Sequence, residues 1–301
     1  MVGYQPDFLG ADQILDLPRV SPEQTGNIVR SEQLREGFIL DYPNYSVVMN
    51  GETRQAFFSA ANADFRNNNG EGRSFRIDSR IDVDFQLDDI YYRNLDGIEN
   101  PYDRGHLTRR AAVAWGETQK QANDASRDSC YFPNVSLQHR NFNQDEWNAL
   151  ERAVETNETD LNDKFNIFVG PIFTPMDRFL QPTPRLEPAR IPSAFWKIIA
   201  YIGRESQQLE TKAFIVFQDD MAIQGMNQVL NNPQLDPFSI YQSSTTLIEQ
   251  LTGLEFPEVL FERNPLFFFA NSRTTERNIV TPQLNRVTPL ASNNSQIIFQ
   301  Q

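Results

Sequence analysis

His106 closes the run Asp103-Arg104-Gly105-His106 and is one of only two histidines in the 301-residue chain. Asn134, Asn143 and Glu151 follow it. Cleaving a phosphodiester requires an activated water, relief of charge at phosphorus and a stabilised leaving oxygen. A histidine is basic enough to deprotonate water near neutral pH. A hard cation held by oxygen ligands can cover the leaving oxygen. Arginines such as Arg104 grip phosphate oxygens in a planar fork. These residue types therefore suffice for one-metal phosphodiester cleavage. With His139 as the only other histidine, a multi-histidine zinc site is excluded, and a mostly hydrated magnesium ion remains.

The metal half depends on a helix. Trp147, Leu150 and Val154 recur at three and four residues, which predicts an amphipathic helix from Asn143 to about Thr156. Along it, the step from Asn143 to Glu151 rises about 12 Å. Helical side chains lean toward the N-terminus, so Glu151 points back toward Asn143, but the gap is too long for two direct ligands. The expectation is that Asn143 ligates directly and Glu151 acts through a bound water. Plainer roles compete. Asn143 could be a helix N-cap, Glu151 a solvated carboxylate, and Trp147 a core residue. Arg109 and Arg110 fit substrate steering and ordinary surface charge equally well.

The remaining chain must build a scaffold for these groups. Hydrophobic residues make up 39% and charged residues 22%, enough for a large core and too apolar for disorder. The net charge of −13 counts against a general polyanion binder, although a local basic cleft can still turn over a weakly held substrate. Cys130 is the only cysteine, so no intrachain disulfide can form; its expected role is packing. Met1–Asp7 has neither a basic nor an apolar region, so no signal peptide is expected as the chain is written. No apolar run approaches the ~20 residues of a membrane span.

Ser21-Pro22-Glu23-Gln24 has the form of a capping box, which predicts a short helix running to about Glu36. Asn50-Gly51 between Tyr45–Met49 and Thr53–Phe58 predicts a hairpin. Residues 66–73 form an Asn- and Gly-rich loop. The acidic stretch from Ile81 to Tyr102 fits no EF-hand spacing and reads mainly as solvated charge. Strands are expected at 165–170, 195–202 and 211–217, and a helix over 244–253 that stops at Gly253. The elements imply one α+β domain with antiparallel sheet. The divisions expected are an N-terminal extension (1–36), a catalytic domain (37–265) and an extended tail (266–301).

Asp103-Arg104-Gly105-His106 resembles the DRGH motif of the DNA/RNA non-specific endonucleases, the ββα-metal group that includes Serratia nuclease and mitochondrial endonuclease G. Arg73-Ser-Phe-Arg-Ile-Asp78 resembles an upstream element of that family. Asn134, Gln138, Asn143, Trp147 and Glu151 fall on its downstream pattern. Val169–Ile172, Ile191–Lys197 and Thr252–Phe256 are similar to segments of bacterial members. The likeness covers roughly residues 37 to 262. It implies a ββα-metal fold with a mostly antiparallel central sheet flanked by helices. His106 would be the general base, Asn143 the direct Mg2+ ligand and Glu151 the holder of a metal-bound water, with Mn2+ able to substitute. Arg104 and Arg73 would contact phosphate, and Asn134 would support the site. Asp103 is expected to anchor the strand and turn, and Gly105 to let backbone approach metal or phosphate. Leu137 departs from the family pattern, which has proline before the position of Gln138; only the loop should change.

The resemblance thus implies hydrolysis of DNA and RNA to 5′-phosphate ends. Two other readings remain open: a toxin-like nuclease restrained by a protein inhibitor, motivated by the acidic body and the tail, and a degenerate nucleic-acid-binding module. A secreted or periplasmic location is favoured by the family, and a homodimer is compatible with it.

Overall fold

The computed structural model describes residues 2–66, 69–95, 97–156, 163–218, 240–266 and 288–290. The first regular element is a two-residue strand, β1 (Arg19–Val20). The helix expected from Ser21 to Glu36 does not form; a single 3-10 turn spans Thr25–Asn27. Tertiary pairing overrides the local signal here. Ile28 bridges Asn50, and the Val29 amide donates to the Met49 carbonyl at 3.1 Å, which draws the backbone out straight.

A meander follows, with β2 (Ile39–Tyr42), β3 (Tyr45–Asn50) and β4 (Gln55–Asp64). The expected hairpin is β3–β4. Its connection runs over Gly51–Arg54, longer than Asn-Gly alone suggests, with Arg54 at φ 59° and a register shift at Val48/Met49. Next comes β5 (Tyr102–His106), which carries the Asp-Arg-Gly-His run. Two helices follow, α1 (Arg110–Val113) and α2 (Gln119–Asp128), then β6 (Val135–His139), α3 (Arg140–Gln144) and α4 (Glu146–Glu155).

The strands β7 (Lys164–Ile172), β8 (Phe179–Leu180), β9 (Ala189–Arg190), β10 (Ala194–Ile202), β11 (Leu209–Phe217) and β12 (Ile240–Ser243) come next. The three expected strands correspond to β7, β10 and β11. Helix α5 (Thr245–Thr252) is capped by Ser244 and ends at Gly253, whose φ of 65° suits a residue without Cβ. Then come β13 (Leu254–Glu255), α6 (Val259–Glu262) and β14 (Thr288–Leu290). The expected 266–301 tail lies mostly outside the described residues; within it, β14 pairs with β12.

Eight strands form one antiparallel sheet in the order β14-β12-β11-β10-β7-β4-β3-β2. Both faces are covered, which explains the unbroken apolar runs in β7 and β10. One face packs against the N-terminal segment, through Tyr4 and Leu15, and against α5 and α6. The other packs against α1, α3 and α4, through Val113, Phe142, Trp147 and Leu150. The fold is therefore α+β.

The ribbon β5–β6 stands apart from this sheet. Two buried glutamines hold it in place. Gln55 Oε1 on β4 accepts from the Leu137 amide at 3.1 Å, and Gln218 Nε2 donates to the Leu137 carbonyl at 2.9 Å. Leu137 is thus a strand residue whose N–H is in use, and a proline here would leave Gln55 without that donor. The departure at this position affects a strand rather than a loop.

Candidate active site

Alternation along β5 sends Arg104 and His106 to one face of the ribbon and Asp103 and Gly105 to the other. The first face meets Phe75. The His106 and Phe75 rings lie 5.3 Å apart at 46°. The Arg104 and Arg73 guanidinium groups stand 4.9 and 5.1 Å from the same ring. Two phosphate-binding candidates and the candidate base therefore share one aromatic platform. Phe75 lies within the Arg73–Asp78 element, whose family likeness implies no role for it. The sign that could have revealed it is an aromatic side chain between arginines.

His106 Nε2 lies 3.6 Å from Cys130 Sγ. Cys130 is buried, and the side chain it packs against is the candidate base. Burial, then the positive charges of Arg73 and Arg110, push the His106 pKa down to about 3. The ring is consequently neutral at physiological pH, as a proton acceptor must be. Arg110 is no ordinary surface charge: its Nη1 donates to the Gly70 carbonyl and Ser126 Oγ, at 3.2 and 3.1 Å.

Asn134 is fully buried and spends its side chain on backbone. Its Oδ1 accepts from the Thr108 amide, and its Nδ2 donates to the carbonyls of Thr108 and Ser129, each at 2.9 Å. It fixes the turn that leaves His106 and is a positioning residue. At Gly105 the constraint visible in the structure comes from a neighbouring side chain. A Cβ there would fall 2.1 Å from Gln138 Oε1, so the missing side chain makes room for Gln138. Gln138 is itself fully buried, and its amide atoms find no protein partner among the described residues.

The metal half is built differently from the single helix expected. The chain breaks at Asp145 (φ −105°, ψ −86°), which separates α3, carrying Asn143, from α4, carrying Glu151. Packing explains the break. Phe142 and Trp147 stack with ring centroids 5.6 Å apart and both bury in one core. On a continuous helix, five residues turn about 140° away from a shared face. Asn143 is not an N-cap; that position belongs to His139, which makes no side-chain cap.

Asn143 Nδ2 donates to Asp103 Oδ2 at 3.1 Å, as does Gln144 Nε2 at 3.1 Å. Arg140 Nε lies 3.7 Å from the other Asp103 oxygen. Asp103 thus orients the candidate ligand across the ribbon, beyond its expected anchoring role. Glu151 is mostly buried, not solvated. Its Oε1 accepts from Lys197 Nζ at 3.1 Å, and Arg109 Nε stands 3.9 Å from Oε2. Arg109 also pairs with Glu155 at 3.2 Å, which makes it a structural partner of α4. Burial lowers the Lys197 pKa, and Glu151 opposes that shift. Removing one partner of such a buried pair typically costs about 3–5 kcal/mol.

The acidic stretch serves as caps and counter-ions. Asp82 and Asp88 cap short 3-10 turns, and Asp89 pairs with Arg104 and with Arg93. Among the described residues, no three His, Cys, Asp or Glu side chains gather into a cation cage. The available donors are one carboxamide and flanking carboxylates. They suit a hard cation that keeps most of its water, and not a soft or tightly caged one.

Comparison with known proteins bears on family and fold. The family model described as DNA/RNA non-specific endonuclease matches residues 25–262. A protein of Sinorhizobium fredii (strain NBRC 101917 / NGR234), described as uncharacterized protein y4fB, is 32% identical over 231 residues, 73% of this chain. The match spans only 33% of that relative's length. A chain in the crystal structure of an EndoG/EndoGI complex, which concerns the mechanism of EndoG inhibition, superposes with a TM-score of 0.52 at 17% identity. That match covers 72% of this chain and 84% of the other, and it speaks to the fold.

Proposed function

Since the chain belongs to the DNA/RNA non-specific endonuclease family, we propose that it hydrolyses DNA and RNA with His106 as the general base and a divalent cation at Asn143. The observation that carries this reading is the gathering of His106, Arg73 and Arg104 on Phe75. The candidate base and two arginines able to bind phosphate meet there in one place.

Cys130 lies at Nε2, so Nδ1 is the nitrogen left to take a proton from water. An Nε2–H directed at the thiol is the tautomer with that lone pair. Arg73 and Arg104 bind the non-bridging phosphate oxygens, and Arg110 adds positive potential. A bound phosphate offsets the arginine charges that hold the His106 pKa down, so substrate makes the base stronger. Asn143 would hold the cation through Oδ1, and Glu151 would reach its water shell. When bound, Mg2+, or Mn2+ in its place, neutralises charge on the phosphate and the departing 3′ oxygen. The products carry 5′-phosphates.

The test is degradation of plasmid DNA and of RNA with and without EDTA, using wild type and His106→Ala. Activity that requires the cation and His106 supports the reading. Full activity in EDTA, or in His106→Ala, overturns it.

A second reading keeps this site and adds a protein inhibitor. Its support is the fold neighbour, which comes from a complex concerned with EndoG inhibition, together with the acidic body of this chain. Purified protein that is fully active and harmless to its host would count against it.

A further inference from the structure

Lys197 occupies a position that the surrounding core would fill with an apolar side chain. Phe195, Ile199 and Tyr201 share its face of β10 and pack in the core beneath α4. Lys197 itself is only 3% exposed. Burying an ammonium is costly unless it is paired and hydrogen-bonded. Here the pair is Glu151, and the Lys197 Nζ also stands 4.3 Å from the Trp147 ring centroid. Arg109 approaches the second Glu151 oxygen from the turn after His106. One carboxylate is thus flanked by a cation at each oxygen.

We infer that Lys197 is a positioning residue that, with Arg109, offsets the charge of Glu151 and fixes its direction, so that the site holds free divalent cation weakly and gains it together with substrate phosphate. The inference rests on the cation reading of Asn143 and Glu151. At oxygen sites, affinity for a cation follows the negative charge of the ligands. Asn143 contributes none, Asp103 is engaged by Asn143, Gln144 and Arg140, and Glu151 is offset by two cations. A carboxylate tethered in this way meets a hydrated cation through its water and does not swing in to bind directly. The phosphate supplies the charge that the protein withholds.

This role predicts a sign that simple structural support does not. Loss of the ammonium should strengthen cation binding while weakening turnover. Mn2+ binding to the full chain without nucleic acid, followed by electron paramagnetic resonance, reads the first; cleavage rates at saturating Mn2+ read the second. Lys197→Met is expected to bind Mn2+ about three- to tenfold more tightly than wild type, with kcat reduced about tenfold or more. Lys197→Arg should return the affinity to the wild-type value and recover part of the rate. Arg109→Gln, at a more exposed and more distant cation, should shift affinity in the same direction by less. It decides the sign if Lys197→Met does not fold. Equal or weaker Mn2+ binding in these variants overturns the inference. If cleavage also survives EDTA, the cation reading falls with it; if EDTA abolishes cleavage, only the role of Lys197 falls.

Discussion

Asn143 turns its amide nitrogen toward Asp103, with Nδ2 donating to Oδ2 at 3.1 Å. An ionised carboxylate accepts and cannot donate, so this contact selects which end of the amide remains for a cation. Asp103→Asn removes the selection. Cation affinity is expected to fall about tenfold or more, in the range typical of lost outer-shell partners. Raising Mg2+ should restore much of the cleavage rate. A mutant with an unchanged Mg2+ requirement would show that Asp103 does not orient Asn143.

Asp89 holds Arg104 in the absence of substrate and also pairs with Arg93 at 2.9 Å. A phosphate bound at Arg104, as proposed, would compete with that carboxylate. Both Arg104 and Asp89 are partly exposed, so the pair is worth little by itself. Asp89→Asn is expected to lower KM about two- to fivefold at low salt, with a steeper loss of binding as salt rises. Cleavage rates across a KCl series decide this; a flat response would place the phosphate elsewhere.

Phe75 supports Arg73, Arg104 and His106 together. Phe75→Ala should therefore reduce kcat/KM about tenfold or more, since each cation–π contact is worth roughly 0.5–2 kcal/mol. Phe75→Tyr keeps the ring face and should retain most activity. If Phe75→Ala cleaves as well as wild type, the platform is incidental.

The His106 pKa gives a dependence of stability on pH. It lies near 3 in the folded protein, against an ordinary value of 6.5. Between those values the unfolded chain binds a proton that the folded protein refuses. The contribution of His106 therefore favours folding fully above about pH 6.5 and is lost progressively as pH falls toward 3. His106→Asn should flatten this part of the curve. Urea unfolding at pH 7, 6, 5 and 4 for both proteins measures it; identical slopes would mean the imidazole is not shielded.

Residue type and local spacing made much of this legible. The Asp-Arg-Gly-His run, the apolar stripe on α4 and the runs in β7, β10 and β11 carry their structure in the sequence. What local pattern could not show was contact across the chain. The Ser21 signal yields to pairing of Ile28 and Val29 with β3, because a strand edge offers hydrogen bonds that a short helix cannot match. The stripe through Trp147 hides the break at Asp145, because the decisive partner is Phe142, five residues earlier and on the wrong helical face. Lys197 looks incongruous in an apolar run, and only the fold shows Glu151 beneath it. Gly105 is a glycine for the sake of Gln138, its neighbour across the ribbon.

Cys130 has a practical consequence. The chain contains one thiol, and it is buried against the imidazole of His106. A reagent that modifies thiols can reach it only when the surroundings of that imidazole open. The wild-type protein thus carries a chemical clock for breathing of its candidate catalytic centre. The rate of labelling, with and without nucleic acid or cation, counts those openings without any engineered probe.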